Sequence, residues 1–201
     1  MAASEVLPWV ALRRGRPLDP RGEGRAAADP DALFRAALKE HGRLLVWDLD
    51  GIEGHRPQLD VYRRFEGKGL WVEGGARTVG TLVDILVAGA DVAVINRRRM
   101  QRIDLLAEAT QLTPQLAVCL EEGPGVPPVR ADPSNSPADL FSEAYRAGIE
   151  RGVYLHHAGL QEIPTWVDVL EGMELYAGPV PVSDRQIGTE GRVVANLYEL
   201  V

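Results

Sequence analysis

Eight short apolar runs recur along this 201-residue chain, and their spacing limits its fold more than any other feature. The segments between several of these runs place apolar residues three or four positions apart, which is typical of amphipathic helices. Strands that alternate with helices favour a parallel sheet, and eight repeats predict that the sheet closes into a (β/α)8 barrel. The predicted strands are residues 6–12, 44–47, 70–73, 92–95, 116–120, 153–155, 175–177 and 193–195.

The outer ring of helices is predicted to be uneven. A helix starts at Asp29 and Pro30 and ends before Gly42, because these residue types favour the two ends of a helix. Further helices are predicted at 59–65, 78–88, 103–109, 138–148 and, in short form, 166–170. Residues 13–28 are expected to form a loop or a small hairpin, residues 121–137 a long loop, and residues 180–190 less than a full helix. We therefore predict one α/β domain over residues 1–201, a compact TIM barrel with some reduced helices.

Composition excludes several classes of protein. The chain is 45% hydrophobic and 25% charged, and its formal net charge of −7 argues against general nucleic-acid binding. No apolar run approaches the ~20 residues that a membrane span requires, and residues 1–5 do not resemble a signal peptide. Cys119 is the single cysteine, which excludes an internal disulfide. A single cysteine favours a reducing, cytoplasmic setting. The adjacent His156 and His157 lack metal-ligand spacing, and we predict no metal and no cofactor.

Charged residues and glycines stand where two of the predicted strands end. Asp48 and Asp50 follow the second strand, and Glu73 closes the third. Ligands bind at this edge of a parallel barrel, so these carboxylates are candidates for substrate contact, and carboxylates that share a cavity shift each other's pKa. The alternative for Asp48 and Asp50 is a structural hydrogen-bonding role in the loop. The alternative for Glu73 is an ion pair with Arg77 or a contact with a neighbouring strand.

Later strand ends supply further candidates. A run of three arginines begins at Arg97 and is either a solvated helix start or the source of an Arg97 clamp for phosphate or carboxylate. Glu121 follows the fifth strand and is either an acid/base residue or an exposed loop carboxylate. His156 is a candidate for proton transfer by its position at a strand end, whereas His157 is expected to point to the opposite face.

Several short motifs are shared with a known family. They are Trp47-Asp48-Leu49-Asp50-Gly51, Glu53-Gly54, Gln58-Leu59-Asp60, Glu73-Gly74-Gly75-Ala76-Arg77-Thr78 and Leu86-Val87-Ala88-Gly89-Ala90-Asp91. With these motifs, the stretch between residues 44 and 95 resembles the ProFAR isomerase family of histidine biosynthesis, and most of all its shorter relatives without an assigned role. The resemblance implies histidine-type metabolism or the methanopterin-linked one-carbon metabolism of organisms that carry such relatives.

The resemblance also implies a (β/α)8 barrel whose substrate carries two phosphates and undergoes an Amadori rearrangement of an aminoaldose to an aminoketose. That reaction needs a general acid and a general base on opposite faces of the substrate. In the family these are aspartates that end strands one and five, and by alignment Ala11 and Glu121 occupy the two positions. His156 lies nearest to a threonine that usually ends strand six. Because Ala11 cannot transfer a proton, we do not expect the family's own reaction.

Two phosphate-binding turns are implied as well. For the first, the chain keeps Gly74-Gly75 but has Asn96-Arg97 where the family has Gly-Thr. For the second, it offers Gly178-Pro179 and Asn196-Leu197. Proline removes a backbone donor that a phosphate site needs, which weakens the second site.

The predicted function is action on, or binding of, a phosphorylated or otherwise anionic small metabolite, in the form of an isomerase-like sugar-phosphate enzyme if the site is catalytic. Candidate proton-transfer residues are Asp48, Glu73, Glu121 and His156. Candidate ligand-binding residues are Asp50, Gly74, Gly75, Arg77, Asn96, Arg97 and Gly178. The alternative is a non-catalytic barrel that binds a metabolite or a protein partner, with homodimerisation as the simplest cover for barrel wall that reduced helices leave exposed. No nucleic-acid or membrane partner is predicted.

Overall fold

A computed structural model describes residues 5–18, 29–100, 104–124, 126, 136–160, 164–167, 170, 172–180 and 192–200. In this part of the chain, eight parallel strands form a barrel that closes because β1 pairs with both β3 and β9. The strands are β1 (Glu5–Arg13), β2 (Arg16–Leu18), β3 (Leu44–Asp48), β4 (Leu70–Glu73), β5 (Val92–Asn96), β6 (Leu116–Glu122), β7 (Arg151–His156), β8 (Glu174–Gly178) and β9 (Arg192–Asn196). Strand β2 lies outside the ring and pairs antiparallel with β1. The predicted TIM barrel is confirmed.

Helices lie around the barrel between successive strands. They are α1 (Pro30–His41), α2 (Leu49–Gly54), α3 (Leu59–Arg63), α4 (Val79–Val87), α5 (Asp104–Thr110), α6 (Pro137–Arg146) and α7 (Leu197–Leu200), together with a 3-10 turn at Thr165–Val167. The short helices α2 and α7 were not expected from the sequence, since each spans six residues or fewer and carries no helical stripe of its own. The predicted segments at 19–28, 127–135 and 181–190 lie outside the described residues.

The longer helices begin and end where their capping residues predict. The side chain of Asp29 accepts a hydrogen bond from the Ala32 amide at the start of α1, and Gly42 ends that helix with a positive φ of 71°. Ser136 and Asp139 form a reciprocal capping box at the start of α6. Both arrangements satisfy backbone groups that a helix end otherwise leaves without partners.

Two separate apolar clusters divide the barrel into a lumen and an outer layer. The outer cluster joins the outward faces of the strands to the helices and contains Phe34, Phe65 and Phe141. The lumen cluster consists of Leu7, Leu45, Trp47, Ile52, Trp71, Val92, Val94, Ala117, Cys119, Val153, Leu155, Tyr176 and Val194. Since successive strand residues point to opposite faces, membership of the lumen cluster establishes which residues of each strand face inward.

Ion pairs cluster near the amino-terminal ends of the strands. Arg43, just before β3, forms ion pairs with Glu5 and Glu174, each at 2.6 Å. Its guanidinium also lies 5.5 Å from the ring centre of Tyr176, a residue of the lumen cluster. These contacts join β1, β3 and β8 at this end of the barrel, so the polar groups described next belong to the opposite end.

Candidate functional site

Buried polar side chains gather at the carboxyl-terminal mouth of the barrel. Glu73, Asn96, Glu121 and Asn196 are each exposed by 4% or less. Each of them lies two positions beyond a lumen-facing residue of its own strand, so its side chain points into the mouth. The sequence predicted the first three as site residues, and the barrel brings these three to one place.

Glu73 is a buried carboxyl group with one oxygen unused. Its Oε1 accepts a hydrogen bond of 3.2 Å from the Gly75 amide, while its Oε2 is buried and has no partner among the described residues. Burial is the main influence and raises the pKa of Glu73 to about 8, with the carboxylate of Glu121 acting in the same direction and the charge of Arg99 acting against it. Glu73 is therefore mostly protonated at pH 7 and offers a proton inside the mouth.

Glu121 is buried to a similar degree, yet it remains ionised. Its Oε1 accepts from the Asn96 amide and lies 3.6 Å from Nη2 of Arg99. Its Oε2 lies 2.8 Å from Nε2 of His157. Burial alone would raise the pKa of Glu121, but the hydrogen bonds from His157 and Asn96, together with the charge of Arg99, hold that pKa below its ordinary value.

The two carboxyl groups thus occupy opposite protonation states near neutral pH. The charge of Glu121 contributes to the raised pKa of Glu73, so the two groups interact electrostatically. A neutral carboxyl donates a hydrogen bond or a proton, whereas an ionised one accepts or stabilises positive charge. Such a pair can serve an acid and a base role in one cavity.

Arg99 is the arginine that belongs to this mouth. Its charge acts on both Glu73 and Glu121. The Nε of Arg99 is buried and has no hydrogen-bond partner among the described residues, while one third of its side chain is exposed. A guanidinium with an unused donor beside the entrance can bind a carboxylate or a phosphate of a ligand.

Arg97, the predicted clamp, lies elsewhere. Its side chain is 3% exposed and forms an ion pair of 2.7 Å with Glu143 of α6. Because Asn96 points into the lumen, Arg97 follows on the opposite face of the chain and reaches the outer layer. Arg77 is exposed and, within the described part of the chain, forms no ion pair with Glu73. The structure therefore brings neither arginine to the two glutamates.

Asp48 lies between β3 and the helices that follow it. Its carboxylate accepts hydrogen bonds from the backbone amides of Asp50, Gly51 and Gln58 and from the hydroxyl of Tyr62, a residue of the outer cluster. Asp48 is fully buried, and its neighbour Trp47 belongs to the lumen cluster instead. These contacts correspond to the structural alternative and leave Asp48 outside the mouth.

Asp50 holds the hairpin of β1 and β2. It accepts hydrogen bonds from the backbone amide of Arg14, at 2.5 Å, and from the side-chain amide of Gln58, at 2.6 Å. The side-chain oxygen of Gln58 accepts in turn from the amide of Gly15 in the same turn. Asp50 is thus occupied by protein donors at the rim of the barrel.

The turn at Gly74-Gly75 has a packing reason for its glycines. A Cβ on Gly75, which has a φ of 71°, would overlap the carbonyl oxygen of Gly51, and a Cβ on Gly51 would overlap that of Gly74. Two stretches of backbone therefore lie in direct contact, which only glycine permits. The Gly75 amide donates to Glu73, so this donor is occupied.

Gly178 is also explained by close packing. A Cβ at this position would overlap the carbonyl oxygen of Val194 on β9. Beyond it, Pro179 has no amide hydrogen, and the Val180 amide donates to the Val194 carbonyl at 3.0 Å. Among the described residues of this turn, the first two amides after Gly178 are therefore not available to a phosphate.

His157, and not His156, reaches the mouth. Val153 and Leu155 face the lumen, so continuing the alternation places His157 inward and His156 outward. Nδ1 of His156 lies 3.1 Å from the carbonyl of Gly159. The expectation that His157 points away from the site was wrong, because the sequence of β7 does not show which of its alternate residues face the lumen.

Trp9 adds an unused donor to the lumen. Its ring packs edge-on against Trp47, with 6.1 Å between the ring centroids. The indole Nε1 of Trp9 is buried and has no hydrogen-bond partner among the described residues. Four buried polar atoms among the described residues have no partner: this nitrogen, Oε2 of Glu73, Nε of Arg99 and, away from the mouth, Nε of Arg97.

A scan against models of known protein families finds no match for this chain, and a search of the curated proteins finds none either. The resemblance of residues 44–95 to the ProFAR isomerase family therefore stays a prediction. Within the described residues, the helices are too short or too polar to cross a bilayer. The same residues contain no group of three or more histidine, cysteine, aspartate or glutamate side chains that could hold a metal ion.

Proposed function

We propose that the barrel binds a small anionic metabolite at its carboxyl-terminal mouth and catalyses proton transfer on it. The observation that carries this proposal is the pair of buried carboxyl groups with opposite pKa shifts, Glu73 and Glu121, beside the single mouth. Separated pKa values of this kind are typical of acid/base sites, in which the ionised group accepts a proton itself or acts through a neighbouring base.

The unused hydrogen-bonding atoms support a polar ligand. A protonated Glu73, the Trp9 indole and the Arg99 Nε are all donors without partners among the described residues. Leaving buried donors unpaired costs about 1–3 kcal/mol each, and a ligand with several oxygen atoms would remove that cost. A sugar phosphate has the oxygens for these donors and the charge for Arg99, which also agrees with the resemblance to the ProFAR isomerase family.

The proposed reaction class is isomerase-like, in the sense of moving a proton within one substrate. Ala11 still argues against the reaction of the resembled family, since it offers no titratable group at the end of β1. The pathway, whether histidine-type or methanopterin-linked, rests on the resemblance alone.

Thermal-shift titration with ribose 5-phosphate, inorganic phosphate and uncharged ribose tests the binding step. Ligand at about ten times its Kd should raise the Tm by about 3 °C. We expect the phosphate ester to shift the Tm of the wild type, and ribose not to. Absence of a shift with both phosphates would contradict the proposal.

Two arginine variants locate the anion. Arg99→Gln should lose the shift, because the guanidinium beside the mouth is removed. Arg146→Gln changes the same charge in the last turn of α6, which leads to the amino-terminal end of β7, and should keep the shift. Equal shifts in both variants would place the anion away from Arg99.

A second candidate function is ligand binding without turnover. The lack of a carboxylate at Ala11 favours it, because the expected acid/base pair is incomplete at that strand end. Incubating the protein with ribose 5-phosphate in D2O distinguishes the two functions. Loss of carbon-bound proton signals by NMR supports catalysis, whereas a Tm shift without exchange supports binding alone.

A further inference from the structure

We propose that His157 is the proton-accepting residue of the mouth, and that Glu121 positions it without itself exchanging protons with the substrate. This inference rests on the proposed function, since it identifies the base of the same site. It is carried by the contacts of the two side chains and by their very different exposure.

Both oxygens of Glu121 point at protein donors. Oε1 receives the side-chain amide of Asn96 and lies beside Arg99, and Oε2 receives His157. The side chain of Glu121 is only 6% exposed, whereas that of His157 is 49% exposed. A substrate at the entrance therefore meets the imidazole before the carboxylate.

Two contacts hold His157 at the rim. Its backbone amide donates to the carbonyl of Glu122 at 2.8 Å, which continues the register of β6 and β7 beyond the last residue of the strand. Its Nε2 lies 2.8 Å from Oε2 of Glu121. His157 is thus held at its backbone and at one ring nitrogen, which positions the imidazole for proton transfer.

The partner of Nε2 determines the tautomer. An ionised carboxylate can only accept, so Nε2 carries the hydrogen of a neutral His157 and Nδ1 carries the lone pair. Among the described residues, no hydrogen bond to Nδ1 of His157 is present. The unprotonated nitrogen is therefore the one that is open to a ligand.

Proton transfer through this pair balances without a co-reactant. The Nδ1 lone pair forms a bond to a hydrogen on the carbon beside a substrate carbonyl, and the electrons of the broken C–H bond form a C=C bond to the carbonyl carbon. The π electrons of the C=O bond move to the oxygen, which takes the proton of Glu73 and gives an enediol. The resulting imidazolium is stabilised by the Glu121 carboxylate. Return of the proton from Nδ1 to the other carbon, and of the hydroxyl proton to Glu73, restores both groups.

Glu121→Gln tests the pair because the neighbours dictate how the new amide must sit. The side-chain oxygen of Asn96 accepts from the Arg98 amide at 3.1 Å, which keeps the Asn96 nitrogen directed at residue 121. A glutamine must then give its oxygen to Asn96 and its NH2 group to His157. His157 would have to accept at Nε2 and carry its hydrogen on Nδ1.

Long-range 1H–15N NMR of the imidazoles reads the tautomer directly. We expect His157 to carry its hydrogen on Nε2 in the wild type and on Nδ1 in Glu121→Gln. His55, an exposed histidine after α2, should give the same spectrum in both proteins. If Glu121→Gln does not fold, the wild-type spectrum alone decides, since a neutral His157 with its hydrogen on Nδ1 overturns the proposal.

Diethyl pyrocarbonate reports which ring nitrogen of His157 is unprotonated and accessible to solvent. The reagent attacks the unprotonated nitrogen, which is open at Nδ1 in the wild type and would face residue 121 in the variant. Carbethoxylation of His157, followed by peptide mass spectrometry, should become about tenfold slower in Glu121→Gln, because the wrong tautomer hides the lone pair. The rate at His55 should not change, and an unchanged rate at His157 would overturn the proposal.

The failure of this inference is separable from failure of the proposed function. Both the imidazole NMR spectrum and the carbethoxylation rate are measured without ligand, so they report only on the contact between His157 and Glu121. Binding of ribose 5-phosphate with an uncoupled His157 would overturn the inference and keep the site. A coupled His157 in a protein that binds neither phosphate would overturn the proposed function.

Discussion

Two acidic regions end neighbouring strands of this barrel, and they differ in what surrounds their carboxylates. Both carboxylate oxygens of Asp48 accept hydrogen bonds from backbone amides and side chains, and Oδ2 of Asp50 accepts two more. At the mouth, Glu73 keeps an oxygen without a partner and has a raised pKa. Acidic residues at a strand end therefore do not by themselves mark a ligand site. A carboxylate whose oxygens all accept hydrogen bonds from the protein stabilises the fold. A carboxyl group with an oxygen that has no partner can still contact a ligand.

The largest expected effect on stability comes from removing the Asp48 carboxylate, which accepts several hydrogen bonds. Asp48→Ala removes the cap of α2 and leaves the Tyr62 hydroxyl and several amides without an acceptor, which should lower the free energy of unfolding by about 4 kcal/mol. Urea denaturation measures it. Asp60→Ala is the control, because Asp60 is exposed and pairs only with exposed Arg63, so no measurable change is expected. Equal stability of both variants would mean that the Asp48 network is not structural.

The next largest effect on stability is expected at the backbone contact between Gly75 and Gly51, which joins the two regions. Gly75→Ala places a Cβ against the Gly51 carbonyl at a residue with positive φ, and should cost about 3 kcal/mol of unfolding free energy. Gly54→Ala in α2 is the matched control. Its Cβ meets nothing within 4 Å, so this change should be neutral or stabilising. A tolerated Gly75→Ala would show that the turn is not packed against α2.

At the mouth, the raised pKa of Glu73 predicts a pH dependence of stability. The folded state binds a proton at Glu73 up to about pH 8, whereas an unfolded glutamate releases it near its model value of 4.5. The stabilising contribution is therefore complete below about pH 4.5 and declines as pH rises through 8. Glu73→Gln, which imitates the neutral acid, should remove a decline of about 2.5 kcal/mol between pH 5 and 7. Identical slopes for variant and wild type would mean that Glu73 is ionised in the fold.

The smallest expected effects on stability are those of Arg97→Gln and Arg99→Gln, which should differ in ligand binding. Arg97→Gln breaks the ion pair with Glu143 and should cost about 1 kcal/mol of stability, because the carboxylate left behind is 37% exposed. The Tm shift with ribose 5-phosphate should remain. Arg99→Gln should lose the shift, and it should also cost up to about 1 kcal/mol of stability because its partly exposed guanidinium lies 3.6 Å from Glu121. Loss of ligand binding in Arg97→Gln would mean that Arg97, the arginine predicted from the sequence, binds the anion.

Much of the framework follows from local sequence. The strand at Leu70–Glu73 has the predicted bounds, and the ends of α1 follow from Asp29 and Gly42. These features depend on side chains within a few residues of each other, namely apolar runs, capping oxygens and a glycine at positive φ. The number and spacing of such runs then sufficed to predict a closed barrel.

The sequence alone determined the ring of strands and the presence of carboxylates, asparagine and arginine at their ends. Only the tertiary structure decided that His157 and Arg99 face the mouth while His156, Arg97 and Asp48 do not. The physical reason is that these strands are buried on both faces, so an apolar run does not show which of its residues point into the lumen. Closure of the barrel fixes that phase for every strand at once, and with it the partners, burial and protonation of each charged group.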